Sequence, residues 1–276
     1  MKHIECIAIG NELLLGIVEE KNISWLCKRL TQAGGVVEQG VIVGDVPDDI
    51  EAAVRGAILR QAALVITCGG LGPTEDDQTM AILAEALNRP LEEHPEALAM
   101  VAERYRALYE AGEVPHPDLT PERRKMARLP RGAIPLRNTV GTAPGMLINI
   151  GDRTWVCALP GPPRENRPMV EQELIPRLGE IVPLHAYRER HYEAAVRDES
   201  VLAPLLQIVQ RQHRDVYVKS RAAAFEAQTT FRLLLATRAP TAEEAEARLD
   251  AAEQSLRTIL GEHGIALKTY SSHAPA

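Results

Sequence analysis

The chain lacks any close pair of cysteines: Cys6, Cys27, Cys68 and Cys157 stand far apart, three of them in apolar strand-like runs. That spacing excludes a zinc ribbon or a disulfide scaffold and predicts buried, reduced thiols. Long apolar runs are missing too. The N-terminal one is interrupted at Glu5 and ends at Gly10, too short for a signal peptide or a membrane span. No basic stripe breaks the mixed-sign charge pattern, and the net charge of −7 argues against a general nucleic-acid binder. There are no repeats and no low-complexity tracts. A chain of 276 residues with these absences reads as a cytoplasmic protein of two domains, without a membrane or nucleic-acid partner.

What is present is an alternation of strand and helix signals. Residues 4–9, 36–43 and 63–68 read as strands, and 22–33, 47–61 and 77–87 as amphipathic helices. Connections of this length imply a parallel sheet covered on both faces, with ligands bound beyond the carboxyl ends of its strands. A helix over 95–111 and a proline-rich, lid-like connection over 113–121 follow. Strands at 133–136, 145–150 and 154–159 then lead to a helix from Pro163 to about Leu178. Beyond this the order becomes strand 187–196, helix 201–212, strands 216–222 and 225–236, helix 241–260 and strand 265–270. The expected class is α/β: a doubly wound, mostly parallel sheet over 1–181 and a smaller α+β domain of βαββαβ order over 182–276.

The third strand runs into Gly69-Gly70-Leu71-Gly72-Pro73-Thr74 and then Glu75-Asp76-Asp77. Glycines let backbone approach a ligand, and a helix start behind them offers N–H groups to an anion. The loop lacks the lysine ending of a P-loop and the spacing of a dinucleotide fingerprint. Carboxylates beside a phosphate point to a divalent cation between them, since magnesium favours one or two carboxylates plus phosphate oxygens. The same residues also fit a simple capping box, Thr74 with Asp77 three positions on.

Further blocks stand at or near strand ends: Gly10-Asn11-Glu12, Gly44-Asp45, Thr142-Ala143-Pro144-Gly145 and Pro160-Gly161-Pro162-Pro163. Together with Gly10 to Gly16, Asn22, the run from Gly69 to Thr79 and the run from Leu159 to Met169, they resemble the molybdopterin-binding fold of MogA/MoaB-type proteins. They are most similar to the N-terminal part of the CinA family, and residues 197–200 resemble its middle region. One segment departs from that pattern: residues 122–127 keep Lys125 and Ala127 but carry Met126 in place of an amide.

The resemblance implies a pocket for a small-molecule pterin or nucleotide pyrophosphate, and in the CinA-like branch metal-dependent hydrolysis of ADP-ribose. It also implies a homodimer and, for a chain ending here, no nicotinamide mononucleotide amidase activity. Asp45, Asp76 and Asp77 are the expected catalytic residues and ligands of a divalent ion (magnesium, manganese or cobalt), with Asp77 first among them. Expected on the substrate are Gly10, Asn11, Glu12, Gly69, Gly70, Gly72, Pro73, Thr74, Thr79, Lys125, Thr142, Pro144, Gly145, Pro160, Gly161 and Pro162. Two other readings stand beside hydrolysis: pterin-nucleotide binding or adenylyl transfer at the same cradle, and a non-catalytic nucleotide-binding module.

Overall fold

In the computed structural model, residues 2–270 apart from 152, 197 and 223–229 are described. The chain divides into two compact units, the division falling between Pro183 and Leu184. In the first, β1 (Ile4–Ile9) is buried along its whole length and leads through the short α1 (Asn11–Leu14) to α2 (Asn22–Gln32), which buries Asn22, Leu26 and Leu30 on one face. Next come β2 (Val37–Val43), α3 (Pro47–Leu59) and the wholly buried β3 (Leu64–Cys68). Then follow α4 (Thr79–Ala86), β4 (Leu91–Glu93), α5 (Pro95–Glu110), α6 (Pro121–Lys125) and β5 (Arg128–Pro130). The unit is completed by β6 (Ile134–Leu136), β7 (Gly145–Asn149), β8 (Trp155–Leu159), α7 (Pro163–Met169) and α8 (Leu178–Ile181).

The main sheet has the order β2-β1-β3-β8-β7-β6. The first four strands are parallel and β7 is antiparallel to both its neighbours. Strands buried on both faces need near-continuous apolar sequence, and β1, β3 and β8 supply it with Glu5 and Thr67 as the exceptions. One face packs on Val54, Leu83, Val101 and Met126, the other on Leu26, Leu30, Met169 and Leu174. This is the α/β class expected, with a mostly parallel sheet.

Two local expectations change, and one element is new. The helix placed at 77–87 begins at Thr79, because Asp77 is spent inside the loop before it. The helix from Pro163 is not continuous: it passes through a π turn (Val170–Leu174) and a 3-10 turn (Ile175–Arg177) before α8. Pro168 and Pro176 each lack the N–H that a regular helix would use. β4 pairs with β5, Leu91 opposite Pro130, as a small ribbon outside the main sheet.

The second unit contains β9 (Ala186–Ala194), α9 (Glu199–Gln212), β10 (Val216–Ala222), β11 (Phe231–Ala239), α10 (Ala242–Glu262) and β12 (Leu267–Tyr270). Its sheet is antiparallel in the order β10-β11-β9-β12. Tyr192, Leu233, Leu235, Leu249 and Leu256 form its core. The early part of the strand expected over 225–236 lies outside the described residues, and β11 runs on to Ala239.

Candidate functional site

The parallel strands aim their carboxyl ends at one edge, so Gly10, Gly44 and Gly69 emerge there together. Because β7 is antiparallel to β8, with Met146 opposite Ala158, the segment before Gly145 returns to the same edge as Pro160. All five sequence blocks therefore meet at one end of the sheet.

Two glycines are required by contact as well as by conformation. Gly69 has φ 120°, and a Cβ there would stand 2.3 Å from the Ile9 carbonyl oxygen. Gly70 has φ 67°, and its Cβ would lie 2.2 Å from Thr79 Oγ1. Either substitution would break the close approach of loop, strand and helix start. Thr79 is buried and its hydroxyl donates to the Gly69 carbonyl at 2.9 Å, so it braces the loop instead of facing a ligand. Gly145 is likewise a packing position: a Cβ would meet Ala158 O and Met169 Sδ at 2.6 Å.

The acids are divided. Asp77 Oδ2 accepts from the Thr74 N–H at 3.0 Å and the Thr74 hydroxyl at 2.6 Å. The expected capping by Thr74 is thus reversed, and one oxygen of Asp77 shapes the loop. Asp76 is fully exposed. Its carboxyl is held below the usual range by the Thr74 hydroxyl, its own backbone N–H and the Lys125 charge. The Lys125 ammonium donates to the Thr74 carbonyl, which pins the end of α6 to the glycine loop.

Asp45 works elsewhere on the edge. Its Oδ2 accepts from the Asn11 N–H at 2.7 Å, and its own N–H donates to Asn11 Oδ1 at 3.2 Å, locking the loop after β1 to the loop after β2. Glu12 folds back over Gly10, where an added Cβ would meet its carboxylate at 2.5 Å. Among the described residues no three His, Cys, Asp or Glu side chains gather as a metal cluster. Asp45 thus stands on the loop after β2, tied to Asn11, while Asp76 and Asp77 stand on the loop after β3. The adjacent carboxylates Asp76 and Asp77 still suit an ion completed by water and phosphate oxygens.

The opposite wall is held in part by Asn138 and Arg104, which sequence reasoning did not single out. Asn138 donates to the Ala143 carbonyl at 3.0 Å and to Glu165 Oε2 at 2.9 Å. Its oxygen accepts from the N–H groups of Val140 and Gly141. Arg104 donates to the carbonyls of Gly141 and Val140. An asparagine three residues before a glycine is a readable turn signal; Arg104, 37 residues away on α5, gives none. The Thr142 hydroxyl donates to Met126 Sδ at 3.7 Å. Pro160 and Gly161 are tied by Asn166 Nδ2 to the Pro160 carbonyl at 3.0 Å and by Asn22 Nδ2 to the Gly161 carbonyl at 2.7 Å.

Beside the glycine loop lies a recess of about 100 Å³. Leu71, Met80, Leu91 and Met126 give it apolar walls, Gly70 and Gly72 a backbone floor, and Lys125 and Arg128 cationic groups. The cysteines take no part. Cys6, Cys68 and Cys157 are buried, and loss of water pushes the Cys68 thiol up to about 12.

A family model described as a probable molybdopterin-binding domain matches residues 5–180. The chain belongs to this family. A protein of Aeropyrum pernix is 42% identical over 261 residues, covering 94% of this chain and 93% of that one. A protein of Pyrococcus furiosus is 40% identical over 203 residues, 74% of this chain and 79% of that one. The crystal structure of CinA from Thermoplasma acidophilum, a protein of unknown function, is 35% identical. It matches with a TM-score of 0.56 over 66% of this chain and 99% of that one. This member of the molybdopterin-binding family is thus CinA-like. Among its described residues no helix is long and apolar enough to cross a membrane.

Proposed function

We propose that the edge formed by β1, β3 and β8 binds the phosphate groups of a pterin or nucleotide, with the ring in the recess beside the loop. The observation that carries this is the pairing of the glycine loop with Lys125, a cation fixed at Thr74 beside an apolar cavity. Backbone N–H groups of the loop and the Lys125 ammonium suit phosphate oxygens; Met80 and Met126 suit a flat ring. Titration of AMP and ADP-ribose into the full chain tests it. Lys125→Met is expected to weaken binding about tenfold, on the order of one charge-assisted hydrogen bond. Unchanged affinity would remove Lys125 and this placement together.

Hydrolysis of ADP-ribose is the finer reading, favoured by the exposed Asp76 beside the cradle. A divalent ion, when bound, supplies neutralisation of charge on the phosphates, and Asp76 and Asp77 would hold it. The loop N–H groups and Lys125 orient the pyrophosphate. A water oxygen attacks one phosphorus, the bridging P–O bond breaks, and a carboxylate of the Asp76–Asp77 pair takes the water proton, giving AMP and ribose 5-phosphate. AMP release measured by chromatography with magnesium, manganese or cobalt should fall at least about a hundredfold in Asp76→Asn. Binding without AMP release under any metal would leave the pterin or nucleotide binding reading and end the hydrolase one.

A further inference from the structure

The sheet of the second unit has two unlike faces. Strand alternation sends Tyr192, Leu233 and Leu235 into the core with α9 and α10. The opposite face carries Lys219 and Arg221 from β10, Arg232 and Arg238 from β11, and Lys268 from β12. Its carboxylates are Glu189 and Glu193 of β9. The register lines up Arg221, Arg232, Glu193 and Lys268 side by side across all four strands. Like charges directly opposite each other, as Arg221 and Arg232 are, destabilise a sheet, so stability alone does not account for this row.

Only part of this charge is compensated within the unit. Arg232 Nε stands 3.8 Å from Glu193 Oε1, and its guanidinium lies 4.5 Å from the centre of the Tyr270 ring. Among the described residues no carboxylate pairs with Lys219, Arg221 or Lys268, all of which are exposed. The acids of this unit are concentrated in its helical layer instead, where Glu246, Asp250 and Glu253 of α10 surround Arg190. The cationic face also carries flat rings. Tyr217 is 56% exposed on the edge strand, and the partly exposed Tyr187 and Tyr270 lie on the same side.

We infer that this open face binds single-stranded nucleic acid, phosphates along the Arg221–Lys268 row and bases against the tyrosines. Exposed rings interleaved with cations on a four-stranded sheet serve unstacked bases and a phosphate backbone together. A lipid surface would instead call for protruding aliphatic side chains, and the face offers only the half-buried Leu234 among leucines, isoleucines and valines. The net charge of −7 does not reveal this face, because its cations occupy alternate positions on separate strands and acids elsewhere outnumber them.

The test is fluorescence anisotropy of a labelled 12-nucleotide single-stranded RNA, with a DNA counterpart, titrated with the full chain at two salt concentrations. Saturable binding is expected, weakening as salt rises and falling about tenfold or more when Lys219→Glu and Arg221→Glu are combined. Tyr217→Ala should weaken it at least about fivefold while Tyr217→Phe retains it, since stacking needs the ring and not the hydroxyl. Three results would overturn the proposal: no binding at about 100 µM protein in low salt; equal affinity of Tyr217→Ala and wild type; or binding confined to phosphatidylserine vesicles.

Discussion

Glu5 shows how one polar residue can sit inside a parallel sheet. It is 3% exposed on β1, where Arg60 donates to both its oxygens, Nε to Oε1 at 2.9 Å and Nη2 to Oε2 at 2.7 Å, and His3 Nε2 lies 3.1 Å away. The Arg60 hydrogen bonds hold its carboxyl below the ordinary 4.5 against the opposing effect of burial. A folded value below the unfolded one means stability that is full above about pH 4.5 and lost as pH falls through the folded value. Glu5→Gln should cost about 1–2 kcal/mol near neutral pH, discounted because Arg60 is half exposed. Urea unfolding at a series of pH values checks this: the gap between variant and wild type should close in acid, and a gap independent of pH would contradict the account.

At the scale of elements, the strands and glycine loop were legible because the sequence carries their physical cause. β1, β3 and β8 are mainly apolar runs, broken only by Glu5 and Thr67, and Gly69 and Gly70 occupy conformations and contacts that a side chain would destroy. What escaped was short or non-local. α1 and the β4–β5 ribbon have three or four residues per element, too few to show a period. The reversal at Thr74 and Asp77 follows from geometry that a capping pattern leaves open. The hold of Arg104 and Asn138 on the 138–143 loop joins segments far apart in the chain. Asn138→Ala removes hydrogen bonds to four partners at once, so the loop should loosen by about 2–3 kcal/mol. Hydrogen exchange at residues 139–143 should quicken while β3 keeps its protection; unchanged exchange in the loop would show that Arg104 holds it alone.

For the whole molecule, charge and chemistry are sorted by unit. The first gathers its glycines, acids and Lys125 at one sheet edge, and the match at residues 5–180 coincides with it. The second has its own core and its own cationic face. Composition could indicate two domains and argue against a uniformly basic surface, but it averages over faces, and only strand register separates one face from another. The site blocks were readable in sequence order; their convergence depends on β7 running antiparallel to β8, which returns the segment before Gly145 to the end that the parallel strands share.

The central claim is that the loop after β3 is the phosphate cradle. Hydrogen exchange of the full chain with and without saturating ADP-ribose tests it most directly. Protection is expected in peptides covering residues 69–79 and 125–128, with the second unit unaffected. Protection confined to other segments, or none despite measured binding, would contradict it.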